Sequence, residues 1–236
     1  MIKKALIIII SIFLITACGK STGSDDAIKL KYIFKKGQVY KTSVTTIVTN
    51  PKLEKPTRVR FDFLTKFTEV INNGERAKLV YEFTKLDVNG KVTKPPVQAM
   101  ELEMTKYGKA IFQIEQMRNF QTTIAFPDKK MKPGDTWNTS LSAPIKLNYF
   151  DVKLTAKFTG YKKYKEKDAI FINYQGENNK IEVDKNKYKI SIKGKKIFDH
   201  KRGIYFYIST VYNFFIKKNG KWEQNNKIEV QTQLHE

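Results

Sequence analysis

The chain has little of the side-chain chemistry that metalloproteins and disulfide-linked proteins use. Of its 236 residues one is cysteine and two are histidine, His200 and His235, and neither histidine stands in a ligand-spaced group. A metal site needs clustered His, Cys or carboxylate ligands, so the sequence predicts none. A lone cysteine also excludes an internal disulfide, so packing and backbone pairing must hold the fold.

Recognisable catalytic and cofactor motifs are also missing. The chain contains no G-x-S-x-G elbow, no phosphate-binding loop and no dinucleotide-binding glycine fingerprint. Glu101 and Glu103 share one predicted strand face, but such pairs usually belong to a solvated surface. We therefore predict a protein that is not an enzyme, with no catalytic residues and no cofactor. A hydrolase stays open as an alternative, because acid and base groups can converge from distant strands.

Acidic residues are scarce beside basic ones. The chain has 44 Lys plus Arg against 23 Asp plus Glu, a net charge of +21, and only five of the basic residues are Arg. Lysine suits diffuse attraction to anionic lipid, lipopolysaccharide or another polyanion, and not base-specific readout, so we expect no specific nucleic-acid partner. The codons of an A/T-rich genome also favour lysine over arginine, so the positive charge could instead reflect genome composition and have no function.

The N-terminus carries the one motif with specific spacing. Lys3-Lys4 precedes an almost unbroken apolar run over residues 5–15, which ends in Ile15-Thr16-Ala17-Cys18. This order predicts a secretory signal peptide at residues 1–17, because the run is too short to span a bilayer comfortably. An uncleaved membrane anchor is the alternative.

Ile15-Thr16-Ala17-Cys18 resembles the lipobox of bacterial lipoproteins. The resemblance implies cleavage after Ala17, a diacylglyceryl thioether on Cys18, commonly N-acylation such as by palmitate, and attachment to a membrane of the bacterial cell envelope. Two or three acyl chains anchor stably, because each buried methylene contributes about 0.8 kcal/mol. Gly19, where enteric bacteria place Asp for inner-membrane retention, favours the outer membrane if the host has two. Processing leaves a net charge of +19, since residues 1–17 contain two lysines and no acid.

Alternation of apolar and polar residues at period two dominates the mature chain and predicts strands. After a polar, lipidated tether at residues 18–27 it runs through residues 28–34, 59–63 and 77–83, and it resumes in the second half. In residues 204–216 apolar side chains stand at both odd and even positions, so both faces of the strand would be apolar. This predicts a strand that is buried on both sides or that lines an apolar cavity.

Turns and one helix complete the predicted elements. Asn73-Gly74 and Asn89-Gly90 are hairpin signals, and glycines also predict turns at residues 176–179 and at Gly194. Ile114, Met117, Phe120 and Ile124 follow helical spacing, so residues 114–124 are the one predicted short helix.

The two halves of the chain match element by element, which predicts a duplication with chance similarity of β-rich sequence as the alternative. The domains predicted are residues 28–126 and 127–236, two tandem β-rich repeats of about 95 residues. The fold class is mainly β, with antiparallel sheets that form either two lobes or one curved half-barrel. The matched segments are residues 36–40 with 133–137, 66–68 with 157–159, 77–79 with 169–171, and 107–112 with 202–206.

Residues 126–137, Phe-Pro-Asp-Lys-Lys-Met-Lys-Pro-Gly-Asp-Thr-Trp, and the later Gly194-to-Asp199 stretch followed by Gly203 add a second resemblance. In this order of glycine turns, aromatics and strands the mature part resembles an uncharacterised family of β-rich envelope lipoproteins. The matching motifs are structural turn signatures, so the resemblance implies no activity.

The basic residues between positions 185 and 202 form a pattern that would place several charges on one face of a strand. On a strand, five lysines lie on one face opposite Tyr188, Ile190 and Ile192, and three basic residues follow in the next turn. We predict an anionic-partner surface here, although a solvated face or lysines that protect an edge strand would look the same. The strand residues are Lys185, Lys187, Lys189, Lys193 and Lys195, and the turn residues are Lys196, Lys201 and Arg202.

These features predict a membrane-anchored, non-catalytic binding protein for an anionic or apolar partner in the cell envelope. A carrier or chaperone of lipid or lipoprotein on a half-barrel fold is the first alternative, and an envelope hydrolase is the second. A solvent-open apolar cavity of several hundred Å³ would favour the carrier. The sequence sets no oligomeric state.

Overall fold

A computed structural model describes residues 27–111, 123–146 and 148–235. Within them the regular structure is β-strand, apart from one 3-10 turn at Asn72–Gly74, and no helix there is long and apolar enough to cross a membrane. The strands are β1 (Ile28–Lys29), β2 (Val39–Thr49), β3 (Thr57–Ile71), β4 (Arg76–Val88), β5 (Lys91–Thr93), β6 (Ala99–Thr105), β7 (Ala110–Ile111), β8 (Lys130–Met131), β9 (Thr136–Ile145), β10 (Asn148–Tyr164), β11 (Lys167–Val183), β12 (Asn186–Asp199), β13 (Ile204–Lys218) and β14 (Lys221–His235).

Twelve strands form one antiparallel sheet in the order β7-β6-β4-β3-β2-β14-β13-β12-β11-β10-β9, with β5 beside β4. The predicted mainly-β, antiparallel class is confirmed. The last strand, β14, pairs with β2, where Leu234 faces Thr42, so both halves share one sheet. Among the described strands β7 and β9 are not paired with each other, so the curved sheet is open.

The inner side of the sheet and two crossing segments form the main core. Residues 30–34 cross it before β2, and residues 124–126 cross it before β8. The rings of Tyr32 and Phe126 lie 5.6 Å apart, and the Phe126 ring lies 4.8 Å from that of Phe198 in β12. These aromatic contacts join the crossing segments to the second half of the sheet.

Residues 30–34 alternate as a strand would, but they are not one. The Tyr32 amide donates to the Lys106 carbonyl at 2.6 Å, and the Ile33 amide donates to the Gly203 carbonyl at 3.2 Å. These acceptors stand in the turns before β7 and before β13. The strand prediction for this segment is therefore wrong beyond β1, although its alternating apolar side chains are buried as predicted.

The repeated glycine turns make the same hydrogen bonds. The Gly37 amide donates to the Phe67 carbonyl at 2.8 Å, and the Gly134 amide donates to the Phe158 carbonyl at 2.7 Å. In both cases the phenylalanine amide donates back to the residue after the glycine, at 3.0 Å. Two matched pairs of the sequence comparison thus occupy equivalent positions in the two halves.

A β-bulge follows each of these phenylalanines. The bulged Thr68 donates its hydroxyl to the Lys78 carbonyl at 3.3 Å, and Thr159 donates to the Phe171 carbonyl at 2.9 Å. Lys78 therefore corresponds to Phe171 in the structure. The sequence alignment of residues 77–79 with 169–171, which pairs Lys78 with Ile170, is displaced by one residue. A shift of one residue exchanges the two faces of a strand, which is why the bulge decides the register.

Gly176 and Gly194 do not make the turns that the sequence predicts. Both lie inside strands, in β11 and β12, at places where another group comes too close for a side chain. A β-carbon on Gly176 would stand 2.0 Å from the Lys153 carbonyl oxygen, and one on Gly194 would stand 2.3 Å from the Tyr174 ring. Glycine makes room here for a close approach and leaves the strands unbroken.

Some predicted features lie outside the described residues. They are the signal peptide at residues 1–17, the lipidation site Cys18, all of the tether except residue 27, and the predicted helix at residues 114–124 except for its last two positions.

Candidate functional site

Four of the predicted basic residues form what we call the outer lysine face: Lys187, Lys189, Lys193 and Lys195 of β12. They lie on the outer side of the sheet, where Lys189 is half-buried and the other three are exposed, and buried apolar residues of the same strand point inward. Strand geometry produces this separation, because successive side chains point to opposite faces.

The outer lysine face has no ion pair within the described part of the chain. The Lys189 ammonium lies 4.6 Å from the centre of the Phe215 ring, and that of Lys195 lies 5.4 Å from the Tyr207 ring. Aromatic faces hold these cations without neutralising their charge. Glu182 is the acidic residue opposite Lys187 in the register, which reduces the local positive potential there.

The sheet extends this basic surface to a neighbouring strand. Lys195 pairs with Asn173 of β11, and Asn173 pairs with Lys157 of β10, so the two lysines stand in one cross-strand row. Lys157 is exposed and makes no ion pair with a described residue. An anion lying across the outer side of the sheet could therefore contact cations from two strands.

Three other predicted residues lie in turns. Lys185 stands in the turn between β11 and β12 with a φ of 65°, and so it is not on the strand face. Lys201 and Arg202 lie between β12 and β13, where they pair with acids. Their ion pairs are Lys201 with Asp168 at 3.4 Å and Arg202 with Asp199 at 2.7 Å.

Lys196 is not on the surface at all, which corrects its assignment to the predicted anionic-partner surface. Because β12 continues through Gly194, residue 196 points inward, and the lysine is 0% exposed. Its ammonium nitrogen donates to the Ile124 carbonyl at 3.3 Å and lies 4.0 Å from the centre of the Phe126 ring. Burial lowers the pKa of Lys196 well below its ordinary value, because desolvation disfavours the charged form.

A cavity of about 80 Å³ lies on the inner side of the sheet, where the two halves meet. Its walls come from the crossing segment at Tyr32, from the first half and from β13 and β14. The described wall residues are apolar apart from hydroxyl groups. The lining residues that matter below are Tyr32, Tyr40, Thr65, Tyr81, Met104 and Tyr205.

The tyrosines of this cavity are neutral. Burial raises the pKa of Tyr32 and Tyr81 far above the ordinary value, and it raises the pKa of Tyr205 to about 12. Each therefore keeps its proton at neutral pH and can act as a hydrogen-bond donor. The only hint in the sequence was the run at residues 204–216, apolar on both parities. Tyr205 and Ile208 indeed line the cavity, while Phe206 packs in a separate small cluster with Ala169 and Ile197.

Beside the cavity, part of the inner side of the sheet is only half-buried. Apolar residues of β2, β3, β4 and β14 face one another in register there, and the Phe61 and Phe83 rings lie 5.9 Å apart. The half-buried residues include Val44, Val59, Phe61, Phe83, Leu86, Ile228 and Val230.

The structure also brings together a serine, a histidine and an aspartate that are distant in sequence. The Ser43 hydroxyl donates to Asp62 Oδ1 at 2.6 Å and lies 2.8 Å from His235 Nε2, while Arg60 Nε donates to the same carboxylate oxygen at 2.9 Å. Burial would raise the pKa of Asp62, but the Ser43 and Arg60 hydrogen bonds lower it overall. In a nucleophilic triad the carboxylate orients the histidine. Here it binds the serine directly, so this geometry does not activate Ser43.

The remaining acidic and metal-ligating side chains form no metal site in the described ranges. Glu101 and Glu103 share one face of β6 as predicted, and Glu103 pairs with Arg76 at 2.7 Å. No group of three or more His, Cys, Asp or Glu residues within residues 27–111, 123–146 and 148–235 could hold a metal ion. Comparison with protein-family models and with curated proteins gives no match to the chain.

Proposed function

We propose that this protein is a lipid-anchored, non-catalytic binding protein of the bacterial cell envelope that engages an anionic partner through its outer lysine face. The observation that carries the proposal is that Lys187, Lys189, Lys193 and Lys195 share one side of β12 without an ion pair to any described residue. Their charge remains available to a polyanion such as anionic lipid or lipopolysaccharide.

The anchor is the second part of the proposal. The signal peptide and lipobox motif support lipidation of Cys18, with the outer membrane favoured in a host with two membranes. The tether up to residue 27 would reach about 30 Å when extended, so the folded part could contact the surface of the same membrane. Lipid would supply membrane attachment, and the lysines would add attraction to anionic headgroups.

The size of the cavity favours this function over a carrier. Ligand pockets for drug-sized molecules have volumes of about 300–1,000 Å³. The cavity between the two halves has about 80 Å³, which is too little for a whole lipid. The carrier function would thus need a larger site, and the open depression of about 450 Å³ beside Tyr107 and Phe126 is rimmed by charged residues, which do not suit an apolar cargo.

Vesicle binding tests the proposal. The mature chain with Cys18→Ser is mixed with phosphatidylcholine vesicles that contain or lack phosphatidylglycerol. We expect binding only to the anionic vesicles and a steep fall with added salt, because exposed charges are screened within about 8 Å at physiological ionic strength. Equal binding at low and high salt would contradict the electrostatic mechanism.

A matched pair of variants locates the contact. Replacing Lys187, Lys189, Lys193 and Lys195 with Gln should weaken binding at least about tenfold, since each lysine near an anionic membrane contributes up to about 1 kcal/mol. Replacing the exposed Lys52, Lys55, Lys91 and Lys94 removes the same charge elsewhere. If both variants lose the same affinity, net charge alone drives binding and the outer lysine face is not the site.

A carrier of an apolar envelope molecule is the second candidate function. The half-buried apolar residues on the inner side of β2, β3, β4 and β14 favour it, because they extend the apolar surface beyond the small cavity. Lipid that co-purifies with the native protein and is lost in a Phe61→Asp variant would support the carrier over the anionic-partner function.

A further inference from the structure

We infer that the cavity between the two halves is a binding site for a small, neutral, mostly apolar molecule that carries a hydrogen-bond acceptor oxygen. This site is separate from the outer lysine face, which lies on the opposite side of the sheet. It does not depend on the proposed function.

Two buried hydroxyl groups carry the inference. Tyr32 is 5% exposed and Thr65 is 7% exposed, both line the cavity, and neither hydroxyl has a hydrogen-bond partner in the part of the chain that the structure describes. The Thr123 hydroxyl interacts with that of Tyr32 and opposes the effect of burial on the Tyr32 pKa, but the contact lacks the geometry of a full hydrogen bond, so the phenol keeps a donor for a ligand. Buried polar groups without partners are rare because they are costly, so two at one cavity indicate a missing partner.

The chemistry of the walls defines what this partner can be. Among the described residues the lining includes no lysine, arginine, aspartate, glutamate or histidine, so a charged ligand would be desolvated without compensation from them. A phenol and a threonine hydroxyl both donate, so they match an acceptor oxygen such as that of a ketone, ester or ether. The remaining lining is aromatic or aliphatic and would contact an apolar body.

The volume limits the size of the ligand. A buried water needs about 10–15 Å³ on the same measure of volume, so 80 Å³ admits about five to eight atoms of that size. A single small ring with one oxygen meets this limit. So does the ester-bearing end of a larger molecule.

An isosteric pair of probes tests the site. Cyclohexanone and methylcyclohexane have similar shape, but only the ketone has an acceptor oxygen. Each is titrated into the mature Cys18→Ser chain, and binding is followed by the NMR signal of the Met104 methyl group in the cavity wall. We expect both probes to shift this signal and cyclohexanone to lose at least about fivefold in affinity when Tyr32→Phe and Thr65→Val are combined.

The controls distinguish a site whose hydroxyls bind the ligand oxygen from a cavity that takes up any small apolar molecule. Methylcyclohexane should bind the double variant as well as the unmodified chain. Tyr40→Phe should leave the cyclohexanone affinity unchanged, because Tyr40 lines the same cavity but is only half-buried, so water can satisfy its hydroxyl in the free protein. The single variants Tyr32→Phe and Thr65→Val serve if the double variant does not fold.

Failure of cyclohexanone to shift the Met104 signal, or equal affinity for all variants, would overturn the inference and assign the hydroxyls to bound water. The two proposals can fail independently. Loss or retention of vesicle binding in the variant without Lys187, Lys189, Lys193 and Lys195 would not change the expected binding of cyclohexanone or methylcyclohexane.

Discussion

Gly203 and Ile33 are in such close contact that a β-carbon on the glycine would stand 2.3 Å from the Ile33 backbone nitrogen. The Gly203 carbonyl accepts the hydrogen bond of that same nitrogen at 3.2 Å, and the glycine has a φ of 65°. This contact fixes the crossing segment to the turn before β13, and thereby joins the N-terminal part of the fold to the second half of the sheet.

Gly203→Ala should therefore be strongly destabilising. The added methyl group meets backbone atoms that cannot move aside, and the left-handed conformation strains any non-glycine residue. We expect the free energy of unfolding in urea to fall by about 3 kcal/mol. Gly220→Ala is the matched control, because Gly220 has a φ of 78° but no described residue lies within 4 Å of the added methyl group. It should cost only about 1 kcal/mol, and an equal loss in both variants would show that strain alone accounts for the effect.

Lys196→Met should stabilise the protein at neutral pH. The lysine loses its hydration in the core and gains one 3.3 Å hydrogen bond to the Ile124 carbonyl, whereas methionine fills similar space without a charge. We expect a gain of about 1–3 kcal/mol in urea unfolding, with the exposed Lys193→Met near zero. A loss of stability in Lys196→Met would mean that the contacts of the ammonium group with the surrounding rings outweigh its desolvation.

The same residue should give the stability a pH dependence. Burial lowers the pKa of Lys196 in the folded state below its ordinary value of 10.5, so between these two values the unfolded chain binds one more proton. Stability therefore rises with pH across that window and levels off above about 10.5. Subtracting the Lys196→Met curve isolates this effect from the tyrosines, whose raised pKa values act in the opposite direction above pH 10. A difference that is flat with pH would contradict it.

Gly194→Ala should be destabilising because of a single aromatic ring. The new methyl group would overlap the Tyr174 ring, and the cost of such overpacking is about 1–3 kcal/mol. Tyr174→Leu removes the ring, so the double variant should show a favourable coupling of at least about 1 kcal/mol. Tyr174→Phe keeps the ring and loses only the hydroxyl bonded to Thr210 at 2.6 Å, so it should show no rescue.

Cys18→Ser should abolish the lipid anchor. Without the thiol no thioether can form, and the mass of the purified protein should lack the diacylglyceryl group and remain that of the uncleaved precursor. Mass spectrometry of the two forms checks this, because the uncleaved apolar run at residues 5–15 could hold the variant in the membrane without lipid. An unmodified wild-type mature chain released from the membrane would refute the lipobox assignment.

The pattern of residues close together in the chain was sufficient to predict part of the fold and part of the candidate site. Apolar residues at period two, Asn-Gly turns and glycine turns followed by aromatics depend on neighbours in the chain, so they predicted an antiparallel β-protein and paired Gly37 with Gly134. The same alternation placed Lys187, Lys189, Lys193 and Lys195 on one face. Pairing between β14 and β2 could not be read in this way, because it joins residues almost the whole chain apart.

The failures of local pattern occur where distant groups approach each other. The sequence predicts a turn at Gly194, because nothing nearby in the chain reveals that the Tyr174 ring passes over it. It therefore also places Lys196 on the surface. With the strand unbroken, one position separates the exposed Lys195 from the fully buried Lys196.

What the sequence determined by itself is therefore the N-terminal motif, the class of secondary structure and the alternation of faces. Each depends on residues within a few positions of one another. What only the tertiary structure decided is the open twelve-stranded sheet that both halves share, the burial of Lys196 and the cavity at Tyr32 and Thr65. These depend on contacts between segments that the chain brings together only when it folds.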